Sequence, residues 1–126
     1  GLMIVQYTAA ACCNELQALA HPASVGNVST SAGIEDYNSM GATSARRLRR
    51  AVRLARDVVA MELLVMAKGI EHQRPLRSGQ GVEAVHAVVR DCVTPLTEDR
   101  SPAPDIAALA LRIASCSLPP TEDLYS

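Results

Sequence analysis

Phe and Trp are missing from the sequence, and only three Tyr occur among its 126 residues. Any core it builds is therefore aliphatic, made from Leu, Val, Ile, Ala and Met. A charge excess of either sign is also missing: 12 Lys and Arg face 13 Asp and Glu, a formal net charge of −1. That balance offers no global attraction to nucleic acid or to an acidic lipid surface. No apolar run reaches the roughly 18 residues that span a bilayer, so no membrane partner is expected. Residues 1–5 are apolar but lack a basic flank and a long apolar stretch, so they do not read as a signal peptide.

Metal-ligand spacing is absent as well. Cys12 and Cys13 are adjacent, which on a helix sets them about 100° apart. Cys92 and Cys116 are remote, and there is neither a CxxC nor an HxxxH pairing. No metal site is read from them. The four cysteines read as buried or partly buried thiols in a reducing cytoplasm. His21, His72 and His86 are scattered, with no nucleophile motif beside them, and read as surface or packing histidines.

What is present is helical patterning. Apolar residues make up 48% of the chain, too many for a disordered one, and the length suits one helical domain over residues 1–126. Residues 2–19 are apolar or small on almost every side, as in a helix from the interior of a larger bundle. The Ala20-His21-Pro22 step ends that helix, because a residue before proline disfavours α geometry. Residues 23–33 are rich in Ser, Thr, Gly and Asn and read as a loop.

The longest helix is expected over residues 39–68. Leu48, Val52, Ala55, Val59, Leu63 and Met66 follow one another at spacings of four, three, four, four and three, the stripe of a core helix. Gly69 is the expected C-cap. Shorter helices are expected over 82–93, on a valine stripe, and over 105–115, with Asp105 in its first turn. Residues 118–126 read as a flexible tail. The result is an all-α, long-helix bundle with no convincing strand.

Two charged features stand out. Six arginines lie between Arg46 and Arg56. The same segment carries the apolar stripe, and base-stacking aromatics are absent nearby, so it reads as a solvated or intersubunit salt-bridge face and not as a nucleic-acid surface. The second is the acid pair Glu35-Asp36, between the Ser/Thr/Gly loop and the long helix. Asp36 or Asn38 suits a helix cap, Asp36 the more so because negative charge is stabilising at a helix N-terminus; Glu35 is then free to point elsewhere.

Four stretches taken together resemble the aromatic amino-acid ammonia-lyase family. Gly1-Leu2-Met3-Ile4-Val5-Gln6-Tyr7-Thr8-Ala9-Ala10-Ala11 is similar to the family's helix after its Asn-Ser pair. Leu19-Ala20-His21-Pro22-Ala23-Ser24 resembles its Leu-Ala-x-Pro-Ala-Ser. Thr30-Ser31-Ala32, with Glu35-Asp36 and Ser39-Met40, is similar to its Thr-Ser-Ala-x-x-Glu-Asp-His-x-Ser-Met. Asp99-Arg100 followed by Ala103-Pro104-Asp105-Ile106 resembles a segment near the family's end. The resemblance implies the C-terminal portion of the fumarase/aspartase-like helical fold, assembled into a tetramer whose active sites are shared between subunits. It also implies ammonia elimination from histidine or an aromatic amino acid at a methylidene-imidazolone (MIO) electrophile. That group is made from an Ala-Ser-Gly tripeptide, which this sequence does not contain.

A partner is accordingly implied, an N-terminal lyase portion or larger subunit bearing the electrophile, without which the chain is inactive. Glu35 matches the acid that lies near the substrate in histidine ammonia-lyases, where phenylalanine-specific relatives commonly have Gln. A carboxylate can pair with imidazole or a charged amine, whereas facing a phenyl ring it would be buried without a partner. Ile34 and Tyr37 depart from the family's usual Gln and His, and Asn38-Ser39 is closer to the phenylalanine-type pattern. An aminomutase on the same scaffold, and a non-catalytic helical assembly module or gene remnant, are the alternative readings.

Overall fold

A computed structural model describes residues 1–119; residues 120–126, most of the expected tail, lie outside the described part. The helices are α1 (Met3–Leu19), α2 (Gly41–His72), α3 (Gln80–Cys92) and α4 (Ala103–Ala114). Two short 3-10 turns, Ala23–Gly26 and Ser31–Gly33, sit between α1 and α2. Among the described residues there is no strand, only an isolated bridge between Thr30 and Glu35. The all-α expectation holds.

At 32 residues, α2 is a strut about 48 Å long at 1.5 Å per residue. The other helices pack on it, α1 and α4 most extensively and α3 against its C-terminal half. The core joins Ala60, Leu64 and Ala67 of α2 to Val89 and Val93 at the end of α3 and to Leu109 and Ala110 of α4. All seven are aliphatic, as a chain without Phe or Trp requires. Ala at three of the seven positions lets helix axes approach closely.

The long stripe read from the sequence faces the other way. Leu48, Val52 and Met66 are 64%, 60% and 56% exposed, and Ala55 and Val59 are exposed beside them; Leu63 alone is half-buried. The buried side of α2 is Leu54, Ala60, Met61, Leu64 and Ala67. At about 100° per residue these two sets lie on nearly opposite faces. The helix is therefore apolar on both sides, and the described residues cover only one of them. On α1, Val5 is buried while Met3, Ile4 and Tyr7 are exposed, as expected of a helix apolar nearly all round.

Three boundaries move. Gly69 does not cap α2: the helix continues through it to His72, with Gln73 as C-cap. Nothing near Gly69 forces a turn, and the break comes where Pro75 disfavours α geometry in the residues before it. Helix α3 begins at Gln80, and α4 at Ala103 after Pro102. Pro104 fits inside the first turn of α4, where its missing N–H has no intrahelical partner to lose. Arg100 Nη2 meets Asp105 Oδ2 at 2.7 Å at that helix start.

Candidate functional site

The link between α1 and α2 carries Glu35, and its conformation is set by side chains at its base. Asn27 Oδ1 accepts the backbone N–H of Asn38 at 3.0 Å, and Asn27 Nδ2 donates to the Asn38 carbonyl. The Asn38 amide in turn lies 3.4 Å from Asn27 Oδ1 and donates to the Val28 carbonyl at 3.4 Å. Inside this clasp, Thr30 N–H donates to the Glu35 carbonyl at 2.7 Å and Glu35 N–H to the Thr30 carbonyl at 3.2 Å. Gly33 N–H closes the tip on the Thr30 carbonyl at 3.1 Å.

The tip is conformationally expensive. Ser31 and Ala32 have φ of 52° and 53°, and Gly33 has φ of 89°. Left-handed geometry costs an L-residue with a Cβ about 1–2 kcal/mol. Two adjacent non-glycine residues adopt it here, held by the bridge and the clasp. Strain of this kind concentrates at functional sites.

Glu35 stands on this frame with its side chain exposed, and it makes no side-chain hydrogen bond or ion pair among the described residues. Ile34 and Tyr37 beside it are 82% and 79% exposed. Neither Asp36 nor Asn38 caps the long helix. The N-cap of α2 is Met40, in left-handed conformation, with no side-chain cap bond and no acid in the first turn. The clasp on Asn38 and the left-handed Met40 delay the helix to Gly41, so both acids fall outside it.

Next to this loop, a cavity of about 310 Å³ lies between the end of α1 and the start of α2, lined among others by His21, Pro22, Arg47 and Leu48. Arg47 bonds the His21 carbonyl at 2.5 Å. Arg50 grips Glu15 of α1 through Nε at 2.8 Å and Nη2 at 3.1 Å, which holds that carboxyl below its ordinary range. Arg56 approaches Asp57 at 3.7 Å. Arg46, Arg49 and Arg53 make no hydrogen bond or ion pair among the described residues. Arg47 and Arg50 therefore tie α2 to α1 and its C-terminal end, Arg56 pairs only within α2, and Arg46, Arg49 and Arg53 are left outward.

Sequence reading missed a second polar group. Glu71 Oε1 accepts Arg90 Nε at 2.5 Å and lies 3.5 Å from His86 Nε2, which is buried without a hydrogen-bond partner. His86 also lines an apolar groove of about 330 Å³ with Leu63, Met66, Ile70, Val82 and Val85. All four cysteines are free thiols; Cys12 and Cys92 are half-buried as expected, but Cys13 and Cys116 are exposed, Cys13 because it points away from the face α1 packs on α2 and Cys116 because it lies past the end of α4. No three His, Cys, Asp or Glu side chains converge as a metal-holding group among the described residues.

The aromatic amino acid lyase family model matches residues 1–91. The histidine ammonia-lyase of Symbiobacterium thermophilum is 48% identical over 110 residues, covering 87% of this chain. That of Deinococcus radiodurans is 47% identical over 118 residues, covering 94%. In both cases the match takes up 22% of the relative, so the chain spans under a quarter of their length. The crystal structure of histidine ammonia-lyase from Trypanosoma cruzi superposes with a TM-score of 0.87 at 39% identity, over 93% of this chain and 23% of that one. The helices described above are thus a C-terminal-type part of that fold, and the chain belongs to the aromatic amino acid lyase family.

Proposed function

We propose that this chain is the C-terminal portion or subunit of a histidine ammonia-lyase, supplying Glu35 to an active site completed by an electrophile-bearing N-terminal portion. The observation that carries the reading is the presentation of Glu35. Its backbone is fixed by the Thr30 bridge and the Asn27 clasp, while its side chain is left without a partner among the described residues. A carboxylate held so suits an imidazole or an ammonium group, which fits histidine better than phenylalanine. The names of the relatives point to the same substrate.

The electrophile of such a lyase activates the substrate for loss of ammonia, and it forms from an Ala-Ser-Gly tripeptide that this sequence lacks. No residue here can form that group, so on its own the chain is inactive. Its contribution is to present Glu35, where it pairs with the substrate's cationic group or accepts a proton. The uncovered face of α2, Leu48, Val52, Ala55, Val59 and Met66, supports an oligomer, with the outward Arg46, Arg49 and Arg53 at its edge. The reading as an assembly module without catalysis rests on that same face. A cytoplasmic location fits free thiols and helices of which none is long and apolar enough to cross a membrane among the described residues.

Joining the chain to an electrophile-bearing lyase portion tests the proposal. Ammonia and urocanate are expected from histidine with the joined protein, and neither from the chain alone. A joined, folded assembly that turns over no amino acid contradicts the catalytic reading and leaves the assembly module.

A further inference from the structure

We infer that Asn27 is a positioning residue for Glu35, fixing through the backbone of Asn38 where that carboxylate sits in the shared site; this rests on the function proposed above. The amide of Asn27 engages both backbone groups of one residue 11 positions away, its Oδ1 accepting Asn38 N–H at 3.0 Å and its Nδ2 donating to Asn38 C=O. It thus does what a neighbouring strand would do, at a place where the chain has no strand. Asn27 and Asn38 are half-buried, whereas every residue from 28 to 37 is exposed. Packing within the described residues therefore does not set the loop, and the two ends of the clasp hold it.

Glu35 lies three residues before Asn38, and its own backbone pairs only with Thr30 inside the same loop. That inner bridge closes the tip but does not anchor it to the helices. Anchoring falls to Asn27, which follows the Ala23–Gly26 turn packed on α2. The chain of restraint runs from α2 through that turn to Asn27, across to Asn38, and back to Glu35. The side chain of Asn38 plays a lesser part, since the clasp's bonds at 3.0 Å or less use its backbone and its amide contacts are at 3.4 Å.

Steady-state kinetics on the assembled lyase tests this with four variants. Asn27→Ala is expected to lower kcat by about 10- to 100-fold, the scale of a reacting group displaced by roughly 1 Å. Asn27→Asp keeps the acceptor and loses the donor, and should fall between Asn27→Ala and the parent. Asn38→Ala keeps the clasped backbone and should cost less than about threefold. In a Glu35→Gln background, Asn27→Ala should add little, because a residue acting through Glu35 has nothing left to position. Melting temperatures identify loss through unfolding. Additive losses in the double variant, an Asn38→Ala effect as large as that of Asn27→Ala, or losses that track melting temperature each overturn the positioning role. Parent-like turnover in Glu35→Gln overturns the catalytic reading and this role with it, whereas a Glu35→Gln loss beside an unaffected Asn27→Ala overturns the positioning role alone.

Discussion

Arg74 holds Glu83 through both terminal guanidinium nitrogens, each 2.8 Å from a carboxylate oxygen, and the same carboxylate accepts Ser78 N–H at 3.0 Å. This pair ties the turn after α2 to the first turn of α3. The Arg74 hydrogen bond, and next the Ser78 N–H, pull the Glu83 carboxyl from 4.5 down to about 2. A carboxyl depressed in the folded state contributes stability above its unfolded value, and that contribution is lost as pH falls from about 4.5 toward 2. Thermal melts of the parent and of Glu83→Gln should therefore differ at neutral pH and converge across that window. A difference that stays constant from neutral pH to pH 2 refutes the assignment.

The two faces of α2 should answer differently to substitution. Leu109 of α4 is 1% exposed in the core, and Leu109→Ala should cost about 2–5 kcal/mol. Leu48→Ser, on the uncovered face, should change the stability of the separated chain by less than about 0.5 kcal/mol. It should instead weaken self-association in sedimentation experiments. Unchanged association after Leu48→Ser, or a stability loss like that of Leu109→Ala, would show that the outward face has been assigned wrongly.

Gly69 lies inside α2, exposed, with nothing within 4 Å of where a Cβ would stand. Gly69→Ala should stabilise the chain by roughly 0.5–1 kcal/mol in denaturant unfolding, because Ala removes freedom from the unfolded chain and strains nothing in the helix. A destabilised Gly69→Ala would mean that a neighbour occupies that surface.

The adjacent thiols of α1 should react at different rates. Burial, then the nearby Asp57 charge, raises the Cys12 thiol above its ordinary value, while Cys13 and Cys116 are exposed. Since the thiolate is the reactive form, timed alkylation with mass spectrometry should label Cys12 after Cys13 and Cys116. Equal rates would contradict the arrangement of α1 on α2.

Much of the fold was legible because helical spacing survives in the sequence: four helices were expected, and each was found within a few residues of its place. The orientation of α2 was not legible. A helix apolar on two sides offers two stripes, and the more regular one, through Leu48, Val52 and Val59, belongs to the uncovered face. The buried side relies on Ala60 and Ala67, whose small side chains give a weak signal for a close helix contact. Glu35 could be singled out only through its surrounding motif, because an exposed acid has no periodicity. Asn27 left no pattern at all, since its partner is a backbone group 11 residues away. Asp36 was misread because a left-handed Met40, which is rare for a non-glycine residue, postpones the helix beyond both acids.

In the proposed function Glu35 serves the chemistry and not its own helix. The most direct measurement is histidine turnover, beside melting temperature, of the assembled lyase carrying Glu35→Gln. That change preserves size and hydrogen bonding and removes the charge. A large fall in kcat is expected, on the order of 100-fold, the low end of a general acid–base contribution. Little change in melting temperature is expected, because the Glu35 side chain bonds nothing among the described residues. Turnover equal to the parent's, with only the melting temperature shifted, would contradict the catalytic role of Glu35.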